Sequence, residues 1–545
     1  MRREGLACTA PERPDLTSTM ATVDNMRRRG VVVWRQLDRV FDAAFGSALN
    51  PLRHLGAIGF LCFWLLAISG IYLYAVLDTS ASGAHPSIAR LAQQPWFYGG
   101  WLRSLHRYAA DAFVLLMALH LLREWMHGHY RGFRRFSWLT GVPLIVFAFV
   151  SAIGGFWLNW DQLGQFSAIA TAEWLDALPL LAAPLARNFL SAEAVSDRLF
   201  SLFVFVHLGV PLLMVFGLWF HIQRITRAAV FPPRPLALGV GGLLLVLALA
   251  WPVTQHAPAD LSVVPAALSF DWILLFLHPL TYATSAGFVW LLVVGSGLLL
   301  LALPFVPQIG KPAALPLSMQ VAQVDAANCN GCRRCFADCP YAAITMVPHP
   351  NLKLGKELAQ VNPDLCAGCG ICAGACPSST PFRSVAELVT GIDMPLLTVQ
   401  ALRRQLQQGL SAQRAERPIV VFGCDHGVPL RQLGGADLVP LSLLCAGMLP
   451  PSFIDYALRD GAAGVLVSGC AEGGCEYRLG QRWAAERLQG LREPHLRDTV
   501  TPGQLAVAWT AAGDAAGLQA ALDGLRRRLA AAATTSPPLM ASAHD

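Results

Sequence analysis

The sequence predicts a multidomain chain: an all-α transmembrane bundle of six spans, then a ferredoxin-like α+β domain, then a C-terminal α/β domain. Three observations predict this order. Of 545 residues 54% are apolar and only 14% charged, with a mean hydropathy of +0.46, too apolar for a soluble chain of this size. Histidines recur at one spacing inside two apolar stretches. Beyond residue 320 the long apolar stretches end and cysteines gather in two matching runs.

Residues 1–45 form a polar, arginine-rich arm with Arg27-Arg28-Arg29 and Arg35. It lacks an apolar core followed by a small-residue cleavage site, so no secretory signal is expected. Residues 34–50 fit a surface amphipathic helix. A membrane domain is expected over 46–306, with spans near 55–77, 101–124, 138–158, 199–221, 236–252 and 276–306. The last span begins as a surface helix. The loop after span two holds Arg123, Arg131, Arg134 and Arg135, and the loop after span four holds Arg224, Arg227 and Arg234. The other loops are acidic or neutral. Basic loops stay inside, which places both termini in the cytoplasm of a bacterial inner membrane. The formal charge of +6 follows from this topology and is no nucleic-acid signal.

His106 and His120 lie fourteen residues apart in the second span, and His207 and His221 repeat the interval in the fourth. Fourteen residues are nearly four helical turns. Both imidazoles of a span therefore share one face, about 21 Å apart along the axis. Two such helices side by side present two stacked histidine pairs, the ligand set of two b-type haems. Gly56 and Gly70 in the first span, and Gly141 and Gly155 in the third, keep the same interval. A missing side chain lets the edge of a flat macrocycle approach a helix backbone. Cys62 lies mid-span and is expected to pack.

A Pro-rich linker over 307–320 leads to a ferredoxin domain over 321–385. Cys329, Cys332, Cys335 and Cys339 precede a proline, as do Cys366, Cys369, Cys372 and Cys376. This doubled run is the two-cluster bacterial ferredoxin pattern, in which the fourth cysteine of each run serves the other cluster. Cys329, Cys332, Cys335 and Cys376 are thus expected on one [4Fe–4S] cluster, and Cys366, Cys369, Cys372 and Cys339 on the other. Zinc does not call for a doubled run, and cytoplasmic disulfides are disfavoured.

Residues 386–416 read as a connector. From 417 to 528 an α/β domain is expected, with buried strands at Pro418–Phe422 and Gly464–Ser468. Cys424 and Cys470 follow these strands, Cys445 follows the apolar stretch 438–444, and Cys475 stands five after Cys470. Cysteines at strand ends can converge at one edge of a parallel sheet, and four thiolates suit a [2Fe–2S] cluster. Residues 529–545 are expected to be a disordered tail.

Residues 54–177 resemble cytochrome b of the bc and b6f complexes. The resemblance rests on Arg103 three before His106, on His106-Arg107-Tyr108, on 137–142 and on 155–162, with Asn159-Trp160 where the family usually has Pro-Trp. It implies Arg103 on a haem propionate, His106 paired with His207 near the outer face, and His120 with His221 near the cytoplasm. The segment Phe270-Asp271-Trp272-Ile273 resembles the family's quinol-site Pro-Glu-Trp-Tyr motif. That implies Asp271 as a proton acceptor for quinone chemistry; a helix-capping aspartate is the plainer alternative.

The region holding Phe422-Gly423-Cys424, 444–447, Phe453-Ile454 and 461–477 resembles the delta subunit of methyl-viologen-reducing hydrogenase. Gly427 stands where that family usually has another cysteine, and Glu476 where it has a histidine. The resemblance implies a cytoplasmic flavoprotein partner like the flavoprotein of heterodisulfide reductase, or another NAD(P)H- or hydrogenase-linked donor. No nucleotide-binding glycine loop occurs, so hydride chemistry belongs to a partner. The expected function is a quinone-linked oxidoreductase subunit that passes electrons between that donor and quinone. Reverse flow from quinol, a quinol-oxidising bc-type core and a non-catalytic docking module are the alternatives. Cytochromes b usually pair, which leaves a homodimer open.

Overall fold

The computed structural model describes residues 16–46, 48–94, 99–178, 195–223, 229–263, 267–306, 321–377, 388–472, 474–511 and 513–535. The chain divides into two compact units. One comprises residues 1–222 and 229–312, the other 223–228 and 313–545. The linker 307–320, residues 378–385 of the expected ferredoxin domain, Arg224 and Arg227 lie outside the described residues.

The first unit is helical. Helix α1 (Leu16–Phe45) is longer than the expected surface helix. Its end is tied to the first span by Asn50 Nδ2 donating to Asp42 Oδ1 (2.8 Å) and by an Arg53–Asp42 ion pair (2.7 Å). There follow α2 (Leu55–Val76), α3 (Ala84–Ala92), α4 (Gly100–Met126), α5 (Arg135–Asn159), α6 (Gln162–Asp176), α7 (Asp197–Gln223), α8 (Arg234–Ala250), α9 (Leu277–Ala283) and α10 (Ala286–Ala302). Helix α2 packs along α4, and α4 packs against α5 and α8. Phe63, Phe113, Leu144 and Met214 share the core. Ile71, Leu212 and Leu238 are each more than 70% exposed, outward apolar faces suited to lipid.

Five described helices are long and apolar enough to cross a membrane, counting the last as Ala286–Phe305. Six were expected. Helix α8 has 17 residues, about 25 Å of rise, short of the roughly 30 Å hydrocarbon core. The stretch 276–306 is broken before Ser285, whose hydroxyl accepts the Phe288 N–H (3.2 Å) and starts a new helix.

The second unit joins two sheet domains. Strand β1 (Gln323–Val324), helix α11 (Arg334–Asp338), β2 (Ile344–Pro348), β3 (Glu357–Val361), α12 (Ile371–Ala375) and β4 (Ile392–Asp393) form the first. β2 pairs antiparallel with β3, and β1 with β4. This domain therefore closes at Asp393, inside the expected connector, because β1 needs β4 as its partner. Helix α13 (Val399–Ala412) takes the rest of that connector. It buries Val399, Leu402 and Leu406 against the next sheet, so it belongs to the α/β domain.

That sheet is parallel, in the order β6 (Leu438–Leu443), β5 (Ile419–Cys424), β7 (Gly464–Cys470), β8 (Leu505–Thr510). Val420, Phe422, Val465 and Val467 enter one core, while Ile419, Val421 and Leu466 enter another. A sheet covered on both faces explains why these strands are apolar throughout rather than alternating. Helices α14 (Ser452–Arg459), α15 (Gly480–Leu488) and α16 (Ala515–Thr535) complete the layers. Helix α16 overrides the tail expected from 529. Leu529 packs in the core, and its carbonyl accepts from Arg417 NH2 (3.0 Å). Residues 536–545 lie outside the described residues.

Candidate redox sites

The fourteen-residue interval places each glycine of α2 and α5 opposite one histidine. A Cβ added at Gly70 would lie 3.2 Å from Cε1 of His106, and at Gly56 3.5 Å from Cε1 of His120. At Gly155 it would lie 2.9 Å from Cε1 of His207, and at Gly141 2.9 Å from Cε1 of His221. His106 faces His207, with ring centroids 6.2 Å apart. His120 and His221 are electrostatic neighbours.

Three of the four imidazoles have Nδ1 held by a hydrogen bond. His207 Nδ1–H donates to Ser151 O (2.8 Å). His106 Nδ1 meets Ser69 Oγ (2.9 Å), and His221 Nδ1 meets Thr140 Oγ1 (3.2 Å). Each hydroxyl already donates one turn back, Ser69 to Leu65 O (2.6 Å) and Thr140 to Phe136 O (2.9 Å). A hydroxyl has one proton, so each must accept from Nδ1–H. That tautomer leaves Nε2 bare, the nitrogen a metal needs. His120 differs: among the described residues its Nδ1 has no hydrogen-bond partner, and Glu124 Oε1 stands 4.0 Å away. Sequence reasoning missed Ser69 and Thr140, although each directly precedes a glycine of the interval. Four imidazoles facing side-chain-free helix backbone, three of them with Nε2 left bare, fit a bis-histidine haem at each level.

Arg103 is buried, and its NH1 donates to Val253 O (2.8 Å). Asp271 caps the turn before α9: its Oδ1 accepts from the N–H groups of Ile273 (3.0 Å) and Leu274 (2.8 Å). Its other oxygen pairs with Arg107, which also pairs with Asp111. Asp111, inside an apolar helix, was not singled out by the sequence. At the far end of α4, Glu124 accepts from Arg123 NH1 (3.0 Å) and meets His129 Nδ1 (2.6 Å). Part of the basic loop thus neutralises a carboxylate.

In the second unit, Cys329, Cys332, Cys335 and Cys376 line one cavity, with Met346, Ala359 and Ile392 behind them. Cys339 has Cys366 as an electrostatic neighbour, and Cys372 has Cys339, Cys366 and Cys369. Each run's fourth cysteine thus crosses to the other run. The tight loops need left-handed backbone: Gly331 and Gly368 both have φ +68°, and a Cβ at Gly331 would overlap Glu357 O. Burial pushes the Cys335 thiol up to about 12 and raises Cys369 and Cys372 as well. Thiolates are held here only beside a compensating cation, which an iron–sulfur core provides. The convergent thiols fit two cubane clusters.

Parallel strands bring the remaining four cysteines to one end of the sheet. Cys424 and Cys470 close β5 and β7, Cys445 follows β6, and Cys475 lies in the loop before α15. Cys424 Sγ is 4.0 Å from Cys470 Sγ. Cys424 and Cys475 each neighbour both Cys445 and Cys470, closing a ring of four sulfurs. Hydrogen bonding around the ring lowers Cys424 and Cys475 and raises Cys445 and Cys470, so the four thiols titrate as one coupled set. The carboxyl ends of parallel strands are where open α/β sheets bind ligands, and four converged thiols fit an iron–sulfur cluster.

The two thiol sites of this unit adjoin. Cys369 and Ile371 share a buried cluster with Cys445, Cys475 and Trp483. A Cβ at Gly480 would overlap Cys445 Sγ and stand 3.5 Å from both Cys475 Sγ and Ile371 Cδ1.

A helical bundle with paired imidazoles, followed by doubled thiol sets, defines a class: a multi-pass membrane electron-transfer protein of an oxidoreductase. Comparison with known proteins agrees. The family model for cytochrome b/b6/petB matches residues 40–229, and that for the 4Fe-4S dicluster domain matches 328–380. The model for the methyl-viologen-reducing hydrogenase delta subunit matches 435–532. The three fall in the order of the expected fusion, and they bring haem b and [4Fe–4S] binding to the chain. A solved chain described as "Hyperthermophilic respiratory Complex III" is 20% identical, over 46% of this chain and 75% of that one, with a TM-score of 0.37.

Proposed function

We propose that this chain links a cytoplasmic flavoprotein donor, resembling the flavoprotein of heterodisulfide reductase or another NAD(P)H- or hydrogenase-linked enzyme, to membrane quinone. Two b haems, two [4Fe–4S] clusters and one [2Fe–2S] cluster supply one-electron carriers when bound. His106 with His207, and His120 with His221, would hold the haems, Gly70, Gly155, Gly56 and Gly141 make room for them, and Arg103 would meet a propionate. Cys329, Cys332, Cys335 and Cys376 would hold one cubane, and Cys339, Cys366, Cys369 and Cys372 the other. Cys424, Cys445, Cys470 and Cys475 would hold the [2Fe–2S] group. The observation that carries the reading is the four-thiol ring abutting the Cys369 loop inside one folded unit. A hydrogenase-delta-like domain so placed serves as an entry point for electrons rather than a separate appendage.

Both termini are assigned to the cytoplasm of a bacterial inner membrane, since the loop after α4 is basic. Asp271 serves quinone chemistry only if Arg107 releases its carboxylate, so quinone is assigned to the cytoplasmic end of α4, near His120. The test is a pull-down of the whole chain in mild detergent, then haem absorbance after adding NADH or a quinol analogue. A co-purifying flavoprotein, NADH-driven haem reduction and quinone-driven reoxidation are expected. Reduction by quinol together with a co-purifying Rieske protein would instead establish a bc-type core.

A further inference from the structure

The seam between the two thiol sites contains a buried cation that no expected cofactor contact uses. Arg487, on α15, is 1% exposed. Its NH1 donates to Gly447 O (2.8 Å), two residues beyond Cys445. Its NH2 donates to Asp338 Oδ2 (2.6 Å), next to Cys339, and lies 3.5 Å from Ile371 O, between Cys369 and Cys372. One guanidinium therefore grips the loop of the four-thiol ring and both parts of the adjoining cubane ligand set. None of these acceptors lies in the Cys329–Cys335 loop.

The charge at the seam is not balanced away. Asp338 also accepts from Arg492 NH1 (2.7 Å), so one carboxylate serves two guanidiniums. Arg492 donates further to Glu486 (2.7 Å), which also takes Arg482 (2.8 Å). Three cations (Arg482, Arg487, Arg492) against two carboxylates (Asp338, Glu486) leave one net positive charge. Arg492 covers the Trp483 ring at 3.4 Å, and Trp483 Nε1 donates to Asp338 O (3.1 Å), so the group is rigidly placed. Stability alone does not call for such a group, because apolar side chains of the same volume commonly hold a buried seam as well or better.

We propose that Arg487 is a positioning residue for electron exchange, its fixed charge shared by the ring of Cys424, Cys445, Cys470 and Cys475 and by the set of Cys339, Cys366, Cys369 and Cys372. An electron that leaves one side of Arg487 arrives on the other. No atom or proton is transferred, and the summed charge facing the guanidinium does not change. A nearby cation favours the more negative, reduced form on each side and raises both potentials. The inference rests on the reading of the C-terminal ring as a cluster site.

The test is a redox titration followed by electron paramagnetic resonance on the whole chain in detergent. Arg487→Met should lower the midpoint potentials of the C-terminal centre and of one cubane, leaving the second cubane and the haems in place. Arg487→Lys should recover part of the shift. Asp338→Asn, which removes the opposing charge, should move the same two centres upward. Unchanged potentials at normal iron content, or an equal shift of every centre, would overturn the proposal. Should Arg487→Met lose iron, the Asp338→Asn titration decides, and no upward shift there rejects it. A wild-type chain with two cubane signals and no third centre would reject the C-terminal cluster itself, while the effect of Arg487 on one cubane stays readable.

Discussion

At Gly155 and Gly141 a methyl group would stand 2.9 Å from an imidazole carbon, whereas at Gly56 the gap is 3.5 Å, an ordinary contact. Gly155→Ala and Gly141→Ala are expected to lower haem content, and Gly56→Ala to leave it near wild type. Haem per chain, measured as the pyridine haemochrome, checks this, and equal losses at all three positions would sink the geometry. The histidines and glycines were legible in the sequence because helical period alone puts residues fourteen apart on one face. Ser69, Thr140 and the Ser151 carbonyl were not, because their role depends on which neighbouring helix brings a histidine within reach. Asp271 shows the same limit. Its place in a quinol-like motif was visible, but its pairing with Arg107 comes from a residue more than 160 positions away.

At the scale of elements, the two cysteine runs make each other's sites. Cys376→Ala is expected to abolish the cubane of the Cys329–Cys335 loop and to spare the one of its own run. Variants of Cys329 should give the same spectrum as Cys376→Ala, and loss of the other cubane instead would refute the crossed assignment. At the sheet edge, Gly480→Ala puts a Cβ onto Cys445 Sγ. It should cost the C-terminal cluster while both [4Fe–4S] signals persist. Strand ends at Cys424 and Cys470 were readable from apolar runs. The short strand β4 was not, because two residues carry no period and exist as a strand only beside β1. The fifth expected span shows a related limit: the apolar run 236–252 does not reveal that its helix, α8, stops at 17 residues.

At the scale of the molecule, each unit has its own core. In the second unit the clustered thiols come from segments as far apart as 329 and 475, so iron held by them would tie the elements together and add to folding free energy. Removing iron with a chelator under reducing conditions is expected to lower the melting temperature of that unit and to leave haem absorbance unchanged. Parallel loss of haem would show that the two units depend on one another.

What the sequence by itself determined is the series of modules and the ligand types: imidazoles and glycines at one helical interval, and thiols in a doubled run. These are local patterns, and local geometry alone gives them meaning. What only the tertiary structure decided is which groups meet. It closed the C-terminal sulfurs into a ring, set that ring against the Cys369 loop, buried Arg487 between them and paired Arg107 with Asp271. Such contacts join residues distant in the chain, and their energy arises only when folding excludes water from between them.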